Sequence, residues 1–577
     1  MVKSNTSCSV PLGTLAIDAL AIASLWCTSL IIVNPVGNFP LNDDWIYGLT
    51  VKHLIETGDF RPTGFTSAQI ITNALWGFLF CLPAGFSFNA LRLSTLALSL
   101  LGTVGAYALM RNVCQPRWPA VMVALTLGFN PIYYSLSNTF MTDVPYTAIT
   151  IFAALFYVQS LKRDSNLDLL IGTALAVAAT LSRKIGITVP LAFAVALILK
   201  RGVTTRNIVR AAISPALCIG ALCGFQHWLA ANGRLPAVYY YRTDQLLHVL
   251  AEPERHIRYV AFNAYVVPLY LGWFLSPVLL SALASFWGRH KKRAMTIFAV
   301  SLGAMVVRGV LALALHGSRP IMPLSGNVID KCGIGPFTLR DTYFLNYSLR
   351  ALPTGFWLVI TATSLAGAGL LITAVGLGAI DVAARARSSK MSDSEAAGTF
   401  LLLSALIYLL PILAIGMFDR YLVPVIPLLA AGIASLSPQL PRIDTRGSRF
   451  AALALLATLV VFSICGTKDY LAWNRLRWKA LDDLRESKQV RADDIDGGFE
   501  FNGLYLYDSK YVGNPNKSWW WVRGDTYLIA FRCVPGYTLI KEYNYRHWMP
   551  PYAGKVVVLQ KNPHDGELQV FPAPEGD

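Results

Sequence analysis

Charge is scarce in this sequence. Only 14% of its 577 residues are Asp, Glu, Lys or Arg, and 54% are hydrophobic. A soluble protein of ordinary composition carries about 25% charged residues. One soluble globular domain is therefore excluded, and a polytopic membrane protein is expected. Acidic residues are the scarcer sign, 33 against 49 basic ones, for a net charge of +16. Much of the basic excess sits in short loops between apolar runs, where it sets orientation, so nucleic acid is not an expected partner. The nine cysteines have no metal-ligand spacing. Cys27, Cys81, Cys114, Cys218, Cys223 and Cys465 lie in or beside apolar runs as packing residues. A bridge between Cys332 and Cys533 is left open. The first apolar run is too long for a removed signal peptide and lacks a small-residue cleavage site. No internal repeat or low-complexity tract is visible, which counts against a transporter built from two repeated halves.

Long apolar runs are what the chain has. They cover about 15–33, 91–110, 118–135, 145–161, 168–182, 185–199, 211–230, 264–287, 294–316, 352–380, 398–416, 421–437 and 450–466. Lys3 before the first run favours a cytoplasmic N-terminus, and most later basic clusters then fall on the same side. The stretch 69–86 is short, opens with Gln69, Thr72 and Asn73, and contains Pro83 and Gly85. Counting it as a span would put Arg111 and Arg117 outside, so it reads as a juxtamembrane helix in a large first external loop, 35–90. From 467 the composition changes. A helix over 469–486 and short strands over 526–529 and 555–559 predict a soluble α/β domain. The expected fold is a polytopic α-helical membrane protein with about thirteen transmembrane helices over 1–466, and a C-terminal extracytoplasmic α/β domain over 467–577.

Four polar elements fall on one membrane face in this topology: Asp43-Asp44, Asp143, Arg183-Lys184 and Asp419-Arg420-Tyr421. The basic pair Arg183-Lys184 is the exception to the orientation rule, and charges left over at a membrane edge point to function. Such a set suits group transfer to a hydroxyl. A carboxylate removes the acceptor proton, and cations neutralise a phosphate leaving group. Trp45 and Tyr47 are placed to stack on sugar rings. Each element also has a plainer role. Asp43 suits a helix N-cap, and Asp143 before Val144-Pro145 does too. Arg183-Lys184 suits a snorkelling pair, and Arg420-Tyr421 an interfacial anchor. The run Trp519-Trp520-Trp521 suits core packing better than sugar binding. The coincidence of four elements on one face favours the functional reading.

The string Asp43-Asp44-Trp45-Ile46-Tyr47, followed by Gly58-Asp59, resembles the first external loop of GT-C-type glycosyltransferases. Within that class it is most similar to the group holding protein O-mannosyltransferases and the lipid A aminoarabinose transferase. Thr142-Asp143-Val144-Pro145 resembles their second acidic site. Arg420-Tyr421-Leu422-Val423-Pro424 with Pro427 resembles their Arg-Tyr-x-x-Pro signature, and the alternation of spans agrees over roughly 10–440.

The resemblance implies a GT-C-like fold, a polyprenyl-phosphate-linked sugar donor, and inverting transfer to a hydroxyl of a lipid, glycan or protein acceptor. The reaction would take place on the extracytoplasmic face of a bacterial plasma membrane. It implies Asp43 as the base and Asp143 as the residue that orients the acceptor or the first loop. Asp44 stands where the family usually has Glu, which keeps a carboxylate but shortens its reach. Arg183, Lys184 and Arg420 are expected on the donor phosphate, and Trp45, Tyr47 and Tyr421 on the substrate. No cofactor is expected, because paired Arg and Lys supply positive charge. A divalent metal held by Asp43, Asp44 and Asp143, as in a metal-dependent oligosaccharide transferase, would be the other source of that charge. A protein O-mannosyltransferase proper and a lipid-glycan flippase are the competing functions. Residues 469–474 and 496–503 receive no role from the resemblance.

Overall fold

Backbone polar groups in hydrocarbon must be bonded within their own segment, so each apolar run should form helix. The computed structural model describes residues 12–113, 116–317, 320–386, 391–436, 446–513, 517–518 and 520–563. The first half holds α1 (Leu12–Val33), α2 (Asp44–Thr57), α3 (Ile71–Cys81), α4 (Phe88–Val113), α5 (Arg117–Gly128) and α6 (Pro131–Ser137). Next come α7 (Asp143–Arg163), α8 (Asn166–Thr180), α9 (Thr188–Arg201), α10 (Thr205–Ala231) and α11 (Tyr241–Ala251). Then α12 (Pro253–His316), a hairpin of β1 (Ile329–Asp330) and β2 (Gly333–Ile334), and α13 (Arg340–Tyr343) follow. Three long helices, α14 (Thr354–Ala386), α15 (Asp393–Ile415) and α17 (Arg446–Asp482), enclose the shorter α16 (Val425–Leu436) in the sequence.

All thirteen expected runs are helical, and the chain is an integral membrane protein. Among the described residues, ten helical segments are long and apolar enough to cross a membrane, or eleven with the bent pair α5–α6 as one span. Two of the ten, Pro253–Leu280 and Lys291–Leu315, belong to α12. They lie side by side, with Arg308 over the Tyr265 ring at 5.7 Å. Helices α8 and α9 have 15 and 14 residues, fewer than the roughly 20 of an ordinary span. Thirteen runs therefore do not by themselves make thirteen crossings. Helix α3, in the stretch expected at the surface, has 11 residues.

Side chains such as Ile17, Leu20 and Ile31 on α1 are exposed, as lipid-facing residues should be. The acid of that helix, Asp18, is buried and accepts from the Tyr107 hydroxyl (2.6 Å) and Arg117 Nε (2.8 Å), tying α1 to α4 and α5. Where α12 crosses α14, Gly272 faces Gly367, and a side chain at either would collide with the other backbone. This pair lets the two helices pack on one another.

Helix α17 runs through position 467 without a break and enters the C-terminal unit. That unit adds β3 (Ile495–Asp496), α18 (Phe499–Leu506), β4 (Tyr527–Ala530), β5 (Tyr537–Trp548) and β6 (Pro551–Lys561). The sheet order is β3-β4-β6-β5, with β3 and β4 parallel and the other pairs antiparallel. The expected strand 526–529 overlaps β4, and 555–559 lies within β6. The segment between α12 and α14 packs onto this sheet. Asp341 accepts from the Phe531 amide (2.8 Å), and Arg340 pairs with Asp525 (3.1 Å). Cys332 and Cys533 are both free.

Candidate active site

The loop between α1 and α2 is pinned by a buried arginine. Arg92 of α4 donates to the carbonyls of Pro35 (2.6 Å), Gly37 (2.9 Å) and Phe39 (2.9 Å). Beyond this anchor the two adjacent carboxylates part ways. Asp44 turns inward and accepts from the amides of Leu41 (3.1 Å) and Phe140 (2.7 Å). Burial pushes its carboxyl up to about 8, against the pull of nearby Arg92. Asp43 occupies the N-cap position of α2 but accepts no helix amide. Its carboxylate instead faces a cavity and stands 3.5 Å from Arg420 Nη1. Burial raises the Asp43 carboxyl above its ordinary range, Arg420 pulls it down, and Asp143 and Glu500 push it further up.

Successive helical residues point about 100° apart, so Asp43, Asp44 and Trp45 cannot all share a face, whereas positions i and i+4 do. Tyr47 accordingly lines the cavity with Asp43. Trp45 does not. It is fully buried among Phe65, Phe499, Tyr507 and Trp521. Trp45, expected on the substrate, is directed into the core instead, and Asp44, expected in the catalytic set, is buried and lines no part of the cavity. In the tryptophan run, Trp520 and Trp521 are core residues, and Trp519 lies outside the described residues.

Asp143 opens α7 and is buried, without lining the cavity. Arg183 Nη1 donates to its Oδ1 at 2.6 Å. Asp143 therefore places Arg183, which does line the cavity. Lys184 Nζ donates to the Tyr239 carbonyl (2.8 Å) and lies 4.1 Å from that ring's centroid. Burial lowers its ammonium to about 8. Arg420 and Tyr421 come from a 3₁₀ turn, Asp419–Leu422. Asp419 holds that turn by accepting from the amides of Val328, Ile329 and Arg420. The Tyr421 ring lies under both Arg183 (5.1 Å) and Arg420 (5.8 Å).

One cation was not anticipated. Arg242 of α11 lines the cavity and donates to the Ile415 carbonyl (3.1 Å) and Gln245 (2.8 Å). Its only sequence signal is its place after Tyr239-Tyr240-Tyr241 in a stretch read as a polar loop.

The cavity measures about 380 Å³. Its lining includes four cations, Arg183, Lys184, Arg242 and Arg420, and the apolar residues Ile187, Pro411, Ile412 and Ile415. Among the described residues no three His, Cys, Asp or Glu side chains gather as a metal site. Both Asp44 oxygens are bonded to backbone amides, and Asp143 Oδ1 is bonded to Arg183.

Residues 71–227 match the family described as Dolichyl-phosphate-mannose-protein mannosyltransferase. That stretch runs from α3 into α10 and holds Asp143, Arg183 and Lys184, but neither Asp43 nor Arg420. The resemblance to this group of glycosyltransferases thus stands on the motifs and on the family match. Among solved structures, ArnT from Cupriavidus metallidurans bound to undecaprenyl phosphate is similar at a TM-score of 0.38 and 13% identity, over 85% of each chain. Its apo state gives 0.36 and 14%, over 85% of this chain and 84% of that one. The apo oligosaccharyltransferase of Archaeoglobus fulgidus gives 0.43 and 15%, over 82% of this chain but 58% of that longer one. A search of curated proteins by sequence found no match.

Proposed function

We propose that this chain is a membrane glycosyltransferase that moves a sugar from a polyprenyl-phosphate donor to a hydroxyl acceptor. The observation that carries this reading is one cavity lined by four cations, by apolar side chains and by a carboxylate. The cations suit a phosphate, the apolar residues suit the first units of a lipid chain, and Asp43 and Tyr47 line the same space. The description of the family matched over 71–227 names a dolichyl-phosphate sugar, in keeping with such a donor. The acceptor is a lipid, glycan or protein hydroxyl. The site opens on the extracytoplasmic face of a bacterial plasma membrane, with the N-terminus cytoplasmic and residues 467–577 on the side of the site.

In this mechanism Asp43 takes the acceptor proton as the hydroxyl oxygen attacks the anomeric carbon. The bond from that carbon to the phosphate oxygen breaks, and attack from the opposite face inverts the centre. The polyprenyl phosphate leaves with the extra negative charge, which Arg183, Lys184, Arg242 and Arg420 offset. Asp143 keeps Arg183 aimed at the cavity. These cations supply the charge a metal would bring, so the proposed reaction needs none.

The test is turnover of purified protein on a panel of polyprenyl-phosphate sugars, read by mass spectrometry of released lipid phosphate. Asp43→Asn should lower turnover about 10²–10⁴-fold, the usual share of a general base, with donor binding nearly intact. A folded variant with wild-type turnover would sink the base assignment. No lipid phosphate released by the wild type from any donor would sink the transferase reading.

A further inference from the structure

Beside Asp43 the C-terminal unit grips one backbone group of the first loop. The Asn42 amide donates to Glu500 Oε1 at 3.0 Å. Glu500 belongs to α18, in the stretch 496–503 that had no role. Its other oxygen accepts from Thr338 Oγ1 (2.7 Å) and Arg477 Nη2 (2.7 Å). Glu500 and Arg477 are both completely buried. Three separate elements therefore fix one carboxylate: α18, α17 and the segment before α13. The helix is also seated flush on α2, since a side chain at Gly503 would run into the Trp45 indole.

What this carboxylate grips is a strained peptide. Asn42 has φ +51°, in the left-handed region that an L residue adopts at a cost. A hydrogen bond to a charged acceptor is about twice as strong as a neutral one and offsets such a cost. The other anchors act elsewhere: Arg92 on the carbonyls of residues 35, 37 and 39, and Asp44 on the amides of Leu41 and Phe140.

We propose that Glu500 is a positioning residue for the transfer reaction: held by Arg477 and Thr338, it fixes the Asn42 peptide and thereby aims the Asp43 carboxylate into the cavity. The C-terminal unit is then a working part of the active site. The proposal rests on the reading of Asp43 as the base. Charge gives it a second signature. The groups acting on Asp43 are Arg420, Asp143 and Glu500, with Asp44, Tyr47 and Arg183 alongside. Removing the negative charge of Glu500 lowers the Asp43 pKa, so the acid limb of the turnover profile moves to lower pH. That charge acts on Asp43 whatever holds the peptide, so positioning itself is read from turnover lost at unchanged donor KM and unchanged unfolding, and from its partial recovery in Glu500→Gln.

The experiment compares Glu500→Ala, Glu500→Gln, Thr338→Val and Asp43→Asn in one detergent, with a donor that the wild type turns over. Turnover, donor KM, the pH profile and thermal unfolding are read for each. Glu500→Ala should lower turnover about 10–100-fold, the scale of a misplacement near 1 Å, with donor KM within about twofold. Glu500→Gln keeps an oxygen acceptor, so it should recover part of the turnover while its acid limb still moves down. Thr338→Val should lose less, about 2–5-fold by the same geometric argument. If Glu500→Ala is unfolded at the assay temperature, the other two carry the test, because both keep an acceptor beside Arg477. Wild-type turnover in folded Glu500→Gln and Thr338→Val would overturn the positioning role, and an unmoved acid limb in Glu500→Gln would remove the charge effect on Asp43. An inactive Asp43→Asn in that experiment would leave the base reading standing, whereas a fully active one would remove the base reading itself.

Discussion

Two sets of buried ion pairs meet at this end of the molecule, and they are built differently. At the junction with the C-terminal unit, Arg477 and Glu500 are 2.7 Å apart with no exposure on either side, and each Glu500 oxygen has a further donor. In the cavity, Arg420 and Asp43 are 3.5 Å apart, and the Asp43 side chain keeps 19% of its exposure. Arg183 grips Asp143 at 2.6 Å yet retains 16% itself. The closed pair is sealed inside the protein with both Glu500 oxygens bonded, and it holds shape. The cavity pairs leave their cations partly open, toward the space where the proposed donor phosphate would lie. Similar chemistry thus serves to fix in one place and to bind in the other.

The sharpest way to break this comparison is to remove one cation from each region. Arg477→Ala leaves Glu500 charged and buried, and should destabilise by about 3–5 kcal/mol. Arg420→Ala leaves Asp43 facing a cavity that admits water, and should cost about 1 kcal/mol or less in stability. Chemical unfolding of both variants in one detergent is the measurement, and equal losses would erase the distinction. Next in size, Arg183→Ala should weaken donor binding by about 1.5–3 kcal/mol, the worth of one charged hydrogen bond. Titration calorimetry reads it, and unchanged affinity in Arg183→Ala, Lys184→Ala and the double variant would return the pair to membrane anchoring.

The smallest effect concerns Asp44, the carboxylate that faces the core. Its folded value near 8 lies above the ordinary 3.8. A carboxyl raised on folding stabilises in its protonated form, fully below about pH 4, and that contribution is lost as pH rises through about 8. Asn resembles the protonated acid, so Asp44→Asn should cost about 1 kcal/mol or less at pH 5. It should also flatten the fall in stability between pH 5 and 8. Unfolding midpoints across that range check it, and a variant as steep as the wild type would place the pH dependence elsewhere.

The helical runs were legible in the sequence because apolar length is a property of each run alone. The convergence of Asp43, Tyr47, Arg183, Lys184, Arg420 and Tyr421 on one cavity was legible from topology. Which of three consecutive residues faces that cavity was not. It depends on where α2 begins, and that is set by Arg92 holding the loop and Asp44 bonding across to Phe140. Arg242 and Glu500 escaped for a related reason. Each acts through a distant partner, 173 residues away at Ile415 and 458 away at Asn42. Strand β5 escaped because it is exposed along most of its twelve residues and so lacks the alternation that marks a strand.

Helix α17 carries a consequence of its own. Its 37 residues form one rod, about 55 Å long at 1.5 Å per residue. The apolar half answers to the lipids around it, and the far half presents Arg477 to Glu500. Packing against neighbouring helices sets the lean of such a rod, and α17 packs on α1, α6 and α12. Under the proposed role of Glu500, a change in that membrane packing would be felt at the Asn42 peptide, so the lipid of a reconstituted preparation is a variable to control.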